Sequence, residues 1–178
     1  MKNISFLMTL LLISTPLLAE EMIIGKESVY PGIELIFEGA PKDTVFPKKH
    51  HLEESSTDIH IEMLANWSKE NKFGAPSGGF VGYLEVSTQV TNQKTQETLS
   101  TELTPHINLT DNFHYAQNIK LPGKSDDLYR VVFTIQPPKN DALGIHFDWY
   151  HKVGKVIESS TFTYKNLSFD KISKELRR

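Results

Sequence analysis

The sequence predicts an all-β fold, an antiparallel β-sandwich of immunoglobulin-like type that forms a single domain. Two observations support this prediction. Short segments rich in β-branched and aromatic residues alternate between apolar and polar side chains, and clusters of turn residues separate them. Helical character is confined to the tail at residues 169–178. About seven short strands with almost no helix are typical of a sandwich.

The strands are predicted from alternation and from the turn residues that bound each segment. Residues 33–37 form the first convincing strand, after the turn signal at Pro31 and Gly32, and residues 39–57 form a loop. Further strands are predicted at residues 58–63, 80–91, 98–104, 115–121, 128–136 and 162–165. The polar turn at 92–96 predicts a hairpin between its flanking strands, and residues 122–127 predict a second one.

The first nineteen residues have the composition of a secretory signal peptide. A basic start precedes an apolar run at residues 4–18 that is too short to span a bilayer, and Ala19 is a small residue at the expected cleavage point. We therefore expect export, cleavage near Ala19, and one immunoglobulin-like domain over residues 20–178.

Composition argues against two classes of partner. The chain has a formal net charge of −3 and no basic stripe that could neutralise phosphates, so no nucleic-acid binding is expected. No later segment is apolar enough to span a bilayer, so we expect no direct membrane insertion of the mature chain. The chain has no cysteine, so neither a disulfide framework nor a lipid anchor is expected, and metal ligands must come from nitrogen, oxygen or methionine sulfur.

The strand at residues 58–63 carries the clearest chemical signal. Side chains on a strand alternate between faces, so Asp58, His60 and Glu62 share one face while the apolar residues between them enter the core. Unpaired titratable groups beside a core cost several kcal/mol unless a partner or a metal neutralises them. The pattern therefore predicts a metal site that includes His60 and Glu62.

Three further histidines are candidates for the missing ligands. His106, His114 and His146 stand at strand ends beside turn residues, and loops at one end of a sandwich converge in space. With His60 and Glu62 they form a ligand set that suits Cu(II) or Zn(II). Asp58 and Asp148 are expected to accept hydrogen bonds that orient the imidazoles.

The alternative for any one of these histidines is a hydrogen-bonded structural role. His50 and His51, beside two lysines, are interpreted as part of a solvated loop, with adventitious metal binding as the minor alternative. His151, near Trp149 and Tyr150, is interpreted as a surface residue.

Several motifs occur together in the order and near the spacings of a known family. They are Asp-Ile-His-Ile-Glu at 58–62, Tyr-Leu at 83–84, Leu-Thr-Pro-His at 103–106, His-Tyr-Ala-Gln-Asn at 114–118 and Gly-Ile-His-Phe-Asp at 144–148. The chain resembles the periplasmic iron-transport proteins that accompany the high-affinity iron permease, a family that includes a treponemal metal-binding antigen.

The resemblance implies an immunoglobulin-like sandwich, usually a homodimer, with a copper site and an adjacent iron site. The family's ligands carry over onto His60, Glu62, His114 and His146. His106 stands where the family has a methionine, and replacing a thioether by an imidazole should shift the preference from Cu(I) towards Cu(II) or Zn(II). Two other departures are Asn66, at the position of a second family histidine, and Ile145, which replaces an arginine.

We therefore expect a periplasmic metal-binding protein of a high-affinity iron uptake system that is not an enzyme. It would bind copper as Cu(II), with iron as a second metal and zinc as a substitute in vitro, and would deliver iron to an inner-membrane iron permease. The sequence shows no nucleophile motif and no phosphate-binding glycine loop. Two alternatives stay open: a copper redox enzyme acting on iron or oxygen species, and a sandwich interaction module with incidental histidines.

Overall fold

The computed structural model describes residues 21–139 and 141–177, so the predicted signal peptide at residues 1–19 lies outside the described residues. The strands are β1 (Met22–Val29), β2 (Ile33–Ala40), β3 (Ile59–Trp67), β4 (Glu85–Asn92), β5 (Thr98–Ile107), β6 (Phe113–Ile119), β7 (Tyr129–Gln136) and β8 (Ser160–Leu167). The helices are α1 (Phe147–Lys152) and α2 (Asp170–Lys174), with 3-10 turns at Lys48–His50 and Glu54–Ser56. Within these ranges, the helices are all too short or too polar to cross a membrane.

Every strand pair is antiparallel, in the order β1-β2-β3-β6-β5-β4-β7-β8. Strand β5 joins the two halves of this sheet, because its residues 98–103 pair with β4 and its residues 104–107 pair with β6. The halves face each other across one core, where the ring centroids of Phe37 and Phe133 lie 4.4 Å apart. This confirms the predicted all-β antiparallel fold.

Alternation explains why each half has one buried face. On β7, every second residue from Tyr129 to Ile135 is fully buried, and on β3 the side chains of Ile59, Ile61 and Met63 are fully buried. Each apolar side chain of this size contributes roughly 1.5–3 kcal/mol when it leaves water. The shared core therefore holds the two halves together in a chain without cysteine.

The sequence does not predict strand β1, because Ile24 alone on that strand is buried and no apolar stripe is visible. The hydroxyl of Tyr164 on β8 donates a hydrogen bond to the Glu27 carboxylate of β1 at 3.0 Å, so the first and last strands approach each other. Gly25 is required at this approach, because a Cβ atom there would collide with the Tyr164 ring.

The predicted hairpin between residues 115–121 and 128–136 is wrong. Strand β6 pairs with β3 and β5, whereas β7 pairs with β4 and β8, so the connection between them crosses from one half to the other. Strand β4 begins at Glu85 rather than at residue 80, because Tyr83 adopts a left-handed conformation with φ 66°. Helix α1 lies outside the segments predicted to be helical. The helical tail predicted over residues 169–178 is shorter in the structure, where only α2 is a helix.

Candidate metal centre

The candidate site lies on the face of β2, β3, β6 and β5 that points away from the core, which we call the outer face. Register places its residues side by side: His60 lies opposite Asn118, Glu62 opposite Ala116, and His106 opposite His114. Ala116 is the small residue at the centre of this group.

His60, His106 and His114 form the histidine trio. One ring nitrogen of each lies within 4.8 Å of the corresponding nitrogen in the other two. The His106 Nδ1 atom is 3.4 Å from His60 Nε2. The Glu62 Oε2 atom lies 3.3 Å from His114 Nε2 and 3.8 Å from His60 Nε2. One ion at the centre of the trio would therefore be within reach of three imidazoles and a carboxylate.

The hydrogen bonds around two of these rings determine which nitrogen carries a lone pair. The Asn118 amide donates to the Asp43 and Leu52 carbonyls at 2.8 and 2.9 Å, which directs its oxygen to His60 Nδ1 at 2.8 Å. The Nδ1–H of His114 donates to the Asn112 carbonyl at 3.2 Å. In both rings Nε2 is therefore the acceptor nitrogen, which carries the lone pair that could bind a metal.

The carboxylate of Glu62 is buried without conventional partners. Its side chain is fully buried, and neither oxygen accepts a hydrogen bond within the part of the chain that the structure describes. Burial raises the pKa of Glu62 well above its ordinary value, and the nearby Glu21 carboxylate adds to this effect. Acceptor oxygens that face acceptor nitrogens repel each other unless a proton or a cation lies between them, so these residues fit a bound metal ion.

A cluster of carboxylates adjoins the trio on the outer face. Glu38 of β2 lies directly opposite Glu62 in the register, and Glu21, Glu38 and Glu62 each place an oxygen within 4.8 Å of the others. Burial raises the pKa of Glu38 to about 7, with Glu21 and Asp111 acting in the same direction. Arg177 balances part of this charge, because its guanidinium lies 3.1 Å from Glu21.

Burial also determines the charge of the histidines. It lowers the pKa of His60 to about 4 and that of His106 to about 3, with the neighbouring imidazoles acting in the same direction on both groups. Burial likewise lowers the pKa of His114. The imidazoles are therefore neutral at neutral pH, which is the form that binds metals.

A cavity of about 530 Å³ connects the trio with solvent. The cavity is lined by the trio, by Arg177 and by residues 43–47, 50 and 51 of the loop between β2 and β3. The trio and Glu62 offer imidazole nitrogen and carboxylate oxygen, a donor set that suits Cu(II) or Zn(II). The carboxylate cluster beside them suits a harder ion such as Fe(II) or Mn(II).

The structure brings together four of the five predicted ligands, His60, Glu62, His106 and His114. It does not bring His146 to them. His146 is exposed before α1 and lines a different groove with Trp67, which lies at the opposite end of β3 from His60. A seven-residue separation along one strand corresponds to about 23 Å.

The predicted roles of Asp58 and Asp148 are corrected by their hydrogen bonds. The Asp58 carboxylate accepts from the Leu121 backbone N–H at 2.8 Å, and Asp148 accepts from Trp149 N–H at 2.8 Å. Asn118 takes the expected orienting role for His60 instead. An amide does this as well as a carboxylate, because its oxygen also accepts an imidazole N–H.

Sequence reasoning missed three residues at or beside the centre. His51 lies against His106, with ring centroids 4.8 Å apart, rather than in a freely solvated loop. Glu38 would have been found if the alternation of residues 33–37 had been followed one residue further. Nothing in the local pattern marks Glu21, because it precedes the first described strand.

The fold and the cluster together define an all-β domain with a histidine and carboxylate centre of the composition that binds transition metals. The particular family follows from comparison with known proteins. Residues 18–170 match the family described as Fe2+ transport protein, and the chain belongs to this family. The iron-transport resemblance seen in the sequence motifs is thereby confirmed.

Individual relatives agree with this assignment. A UPF0423 protein of Brucella abortus (strain 2308) is 27% identical over 156 residues, which cover 83% of this chain and 81% of the relative. The crystal structure of FetP from uropathogenic E. coli is 25% identical with a TM-score of 0.69, covering 83% of this chain and 95% of FetP. The structure of copper-reconstituted P19 protein of Campylobacter jejuni has a TM-score of 0.71 at 27% sequence identity. The match covers 82% of this chain and 94% of P19.

The raised pKa of Glu38 predicts how stability depends on pH in the metal-free protein. The folded chain keeps this proton up to a pH of about 7, whereas the ordinary value is 4.5, so folding becomes less favourable as pH rises through this interval. A Glu38→Gln variant has no such proton to lose. We expect its free energy of unfolding, relative to the parent, to rise by roughly 2–3 kcal/mol between pH 4 and pH 8.

The measurement is urea unfolding at several pH values with a chelator present. Glu34→Gln is the matched control, because it makes the same chemical change at an exposed position of the same strand. A pH-independent difference for Glu38→Gln would show that this carboxyl is not held protonated in the folded protein.

Proposed function

We propose that this chain is a periplasmic metal-binding protein of a high-affinity iron uptake system. It binds copper at the histidine trio and Glu62, binds iron as cargo at the adjacent carboxylate cluster, and delivers that iron to an inner-membrane permease. The observation that carries the proposal is the orientation of two imidazole lone pairs and an unpartnered buried carboxylate towards one point. Membership of an Fe2+ transport family supports the iron role.

Copper is the proposed resident metal because of the donor set. His60, His106, His114 and Glu62 would hold it, and when bound it would supply positive charge that neutralises the Glu62 carboxylate. Imidazole nitrogens with one carboxylate oxygen suit Cu(II), and a site of this kind also accepts Zn(II) in vitro. The structurally similar P19 protein is copper-bound, which supports the same assignment here.

Iron is the proposed cargo because the second cluster is made of oxygen donors. Glu21, Glu38 and Glu62 offer hard ligands, and one Glu38 oxygen, like both of Glu62, lacks a hydrogen-bond partner within the described residues. The cluster lies partly under Arg177, whose positive charge would compete with a bound cation. Such competition suits an ion that is released again.

The role as a carrier rather than an enzyme is part of the proposal. The histidine trio lines a cavity that an ion can enter, and the described residues around the site provide ligands rather than an activated nucleophile. The periplasmic location is supported by the predicted signal peptide and by the structurally similar FetP, which was expressed in the periplasm.

Removing one of the buried histidines should abolish tight copper binding. We expect His60→Ala or His114→Ala to raise the copper dissociation constant by about 100-fold or more, since loss of one coordinating group costs several kcal/mol. Calorimetric titration with Cu(II) measures this directly, and circular dichroism checks that the fold is retained.

His50→Ala is the control for this experiment. His50 is an exposed histidine outside the proposed ligand set, so this change removes the same functional group at another position. The copper dissociation constant should stay within a few-fold of the parent value. Equal losses for His50→Ala and His114→Ala would mean that copper binds adventitiously and that the trio is not the site.

Removing a carboxylate that belongs to the second cluster alone should separate the two metals. We expect Glu21→Gln to weaken Fe(II) binding by about tenfold or more under anaerobic conditions, because one charged oxygen donor is lost, while copper binding at the trio stays intact. Glu27→Gln is the control. Glu27 lies on β1, the strand that follows Glu21, and accepts a hydrogen bond from Tyr164 instead of joining the cluster. Equal iron affinity in parent and Glu21→Gln would remove the carboxylate cluster as the iron site.

We also propose that the chain forms a homodimer in which His146 of the partner subunit reaches the metal centre. Ile107, Leu109 and Phe113 are exposed apolar side chains beside the trio, on and between β5 and β6. His146 is exposed between Ile145 and Phe147, which are exposed as well. Apolar surfaces of this kind mark sites of association. A second copy would cover them and bring in the motif histidine that the chain's own fold leaves far from the trio.

A charge in this apolar surface should separate the subunits. We expect the parent protein to sediment as a dimer and Leu109→Lys to sediment as a monomer, because a buried lysine without a partner is costly. Lys69→Leu, a change of similar size at another exposed position, should leave the assembly unchanged. A parent protein that is monomeric at high concentration would contradict the dimer.

A further inference from the structure

The loop between β2 and β3 places one more imidazole beside the trio. The His51 ring stands edge-on to the His106 ring with centroids 4.8 Å apart, and His51 lines the same cavity as the trio. It is not among the ring nitrogens that lie within 4.8 Å of one another. His51 is therefore one imidazole further out than the site that would hold copper.

The hydrogen bonds of His51 prepare it for metal binding. Its Nδ1 lies 2.9 Å from Gln117 Oε1. The Gln117 oxygen is identified by two other contacts: it accepts from the Asn118 N–H at 3.1 Å, while the Gln117 amide nitrogen donates to the His50 carbonyl at 3.5 Å. The Nδ1 of His51 is thus the donor, and Nε2 carries the lone pair. Asn118, the next residue, orients His60 in the same way.

Burial increases step by step along the cavity. His51 and His106 are partly exposed, whereas His60 and His114 retain 2% and 1% of their accessible surface. An ion that enters from solvent meets His51 and His106 before it can reach the buried pair. A hydrated divalent ion must lose its waters along this path, and an imidazole lone pair at the mouth can replace one of them.

We propose that His51 is a relay ligand, which binds an incoming divalent transition-metal ion together with His106 at the cavity mouth before the ion reaches His60 and His114. The inference rests on the copper site proposed above and adds the route by which that site is filled. A group that stabilises the transition states along the path, but neither the free ion nor the bound ion, speeds entry and exit by the same factor. His51 therefore speeds uptake and release together and leaves the equilibrium dissociation constant unchanged.

The test is stopped-flow mixing of the metal-free full chain with Cu(II) supplied as its glycine complex, followed by release to a chelator. We expect His51→Ala to slow both uptake and release by about tenfold, within the range over which association rates vary among variants of one site. The dissociation constant and the electron paramagnetic resonance spectrum of the loaded protein should match those of the parent. His151→Ala, which removes an exposed imidazole that does not line the cavity, should leave both rates unchanged.

Gln117→Met provides a second variant that keeps the imidazole but removes the acceptor that fixes its tautomer. It should slow copper uptake and release, as His51→Ala does, but by a smaller factor. Parental rates in both variants would overturn the relay. Faster release with weaker binding in His51→Ala would also overturn it, because His51 would then be a ligand of the bound ion. A parent that takes up no copper at all would contradict the proposed function itself, together with the relay.

Discussion

The candidate metal centre is built around a buried carboxylate that faces two imidazole lone pairs on the outer face of the sheet. Glu62 lies 3.3 Å from His114 Nε2 and 3.8 Å from His60 Nε2, and these nitrogens are acceptors because their partner nitrogens donate elsewhere. Without a cation such an arrangement is unfavourable. Burial raises the pKa of Glu62, which favours the neutral, protonated form of its carboxyl group. A cation bound between these groups would offset this unfavourable free energy, because a ligand that binds the folded state alone stabilises it.

The rest of the site serves to hold these groups in place. Asn118 connects His60 to the covering loop through the Asp43 and Leu52 carbonyls, so the tautomer of a ligand and the position of that loop depend on one amide. The opposite face of β3 contributes Ile59, Ile61 and Met63 to the core. A strand buried on both sides cannot shift its register without moving apolar groups into the site. Strand β3 can therefore hold the Glu62 carboxyl group in an unfavourable buried position.

Much of this arrangement could be predicted from the sequence because alternation along a strand is a local property. It places His60 and Glu62 on one face, and it correctly identifies most strands. Pairing is not local. The turn residues between β6 and β7 are the same for a hairpin and for a crossover, and the difference depends on which neighbours occupy the strand edges. Alternation continued by one residue along β2 finds Glu38, but only pairing with β3 shows that Glu38 lies opposite Glu62, and nothing in the local pattern marks Glu21. His146 belongs to a motif that indicates a ligand, yet no local pattern shows how far the fold carries it from the trio.

In the proposed function, the two metals share Glu62, and this has a consequence for transport. A carboxylate that donates to copper offers less charge to an ion in the cluster of Glu21 and Glu38, and the copper charge itself repels that ion at short range. Linkage requires the effect to be mutual, so each metal weakens the binding of the other. Copper would be held by three imidazoles besides Glu62, whereas iron would depend on carboxylates alone, so after an equal loss of affinity iron is the ion that is held more weakly. A resident metal that keeps its place and a cargo that is held less tightly are the properties that a carrier needs in order to release iron.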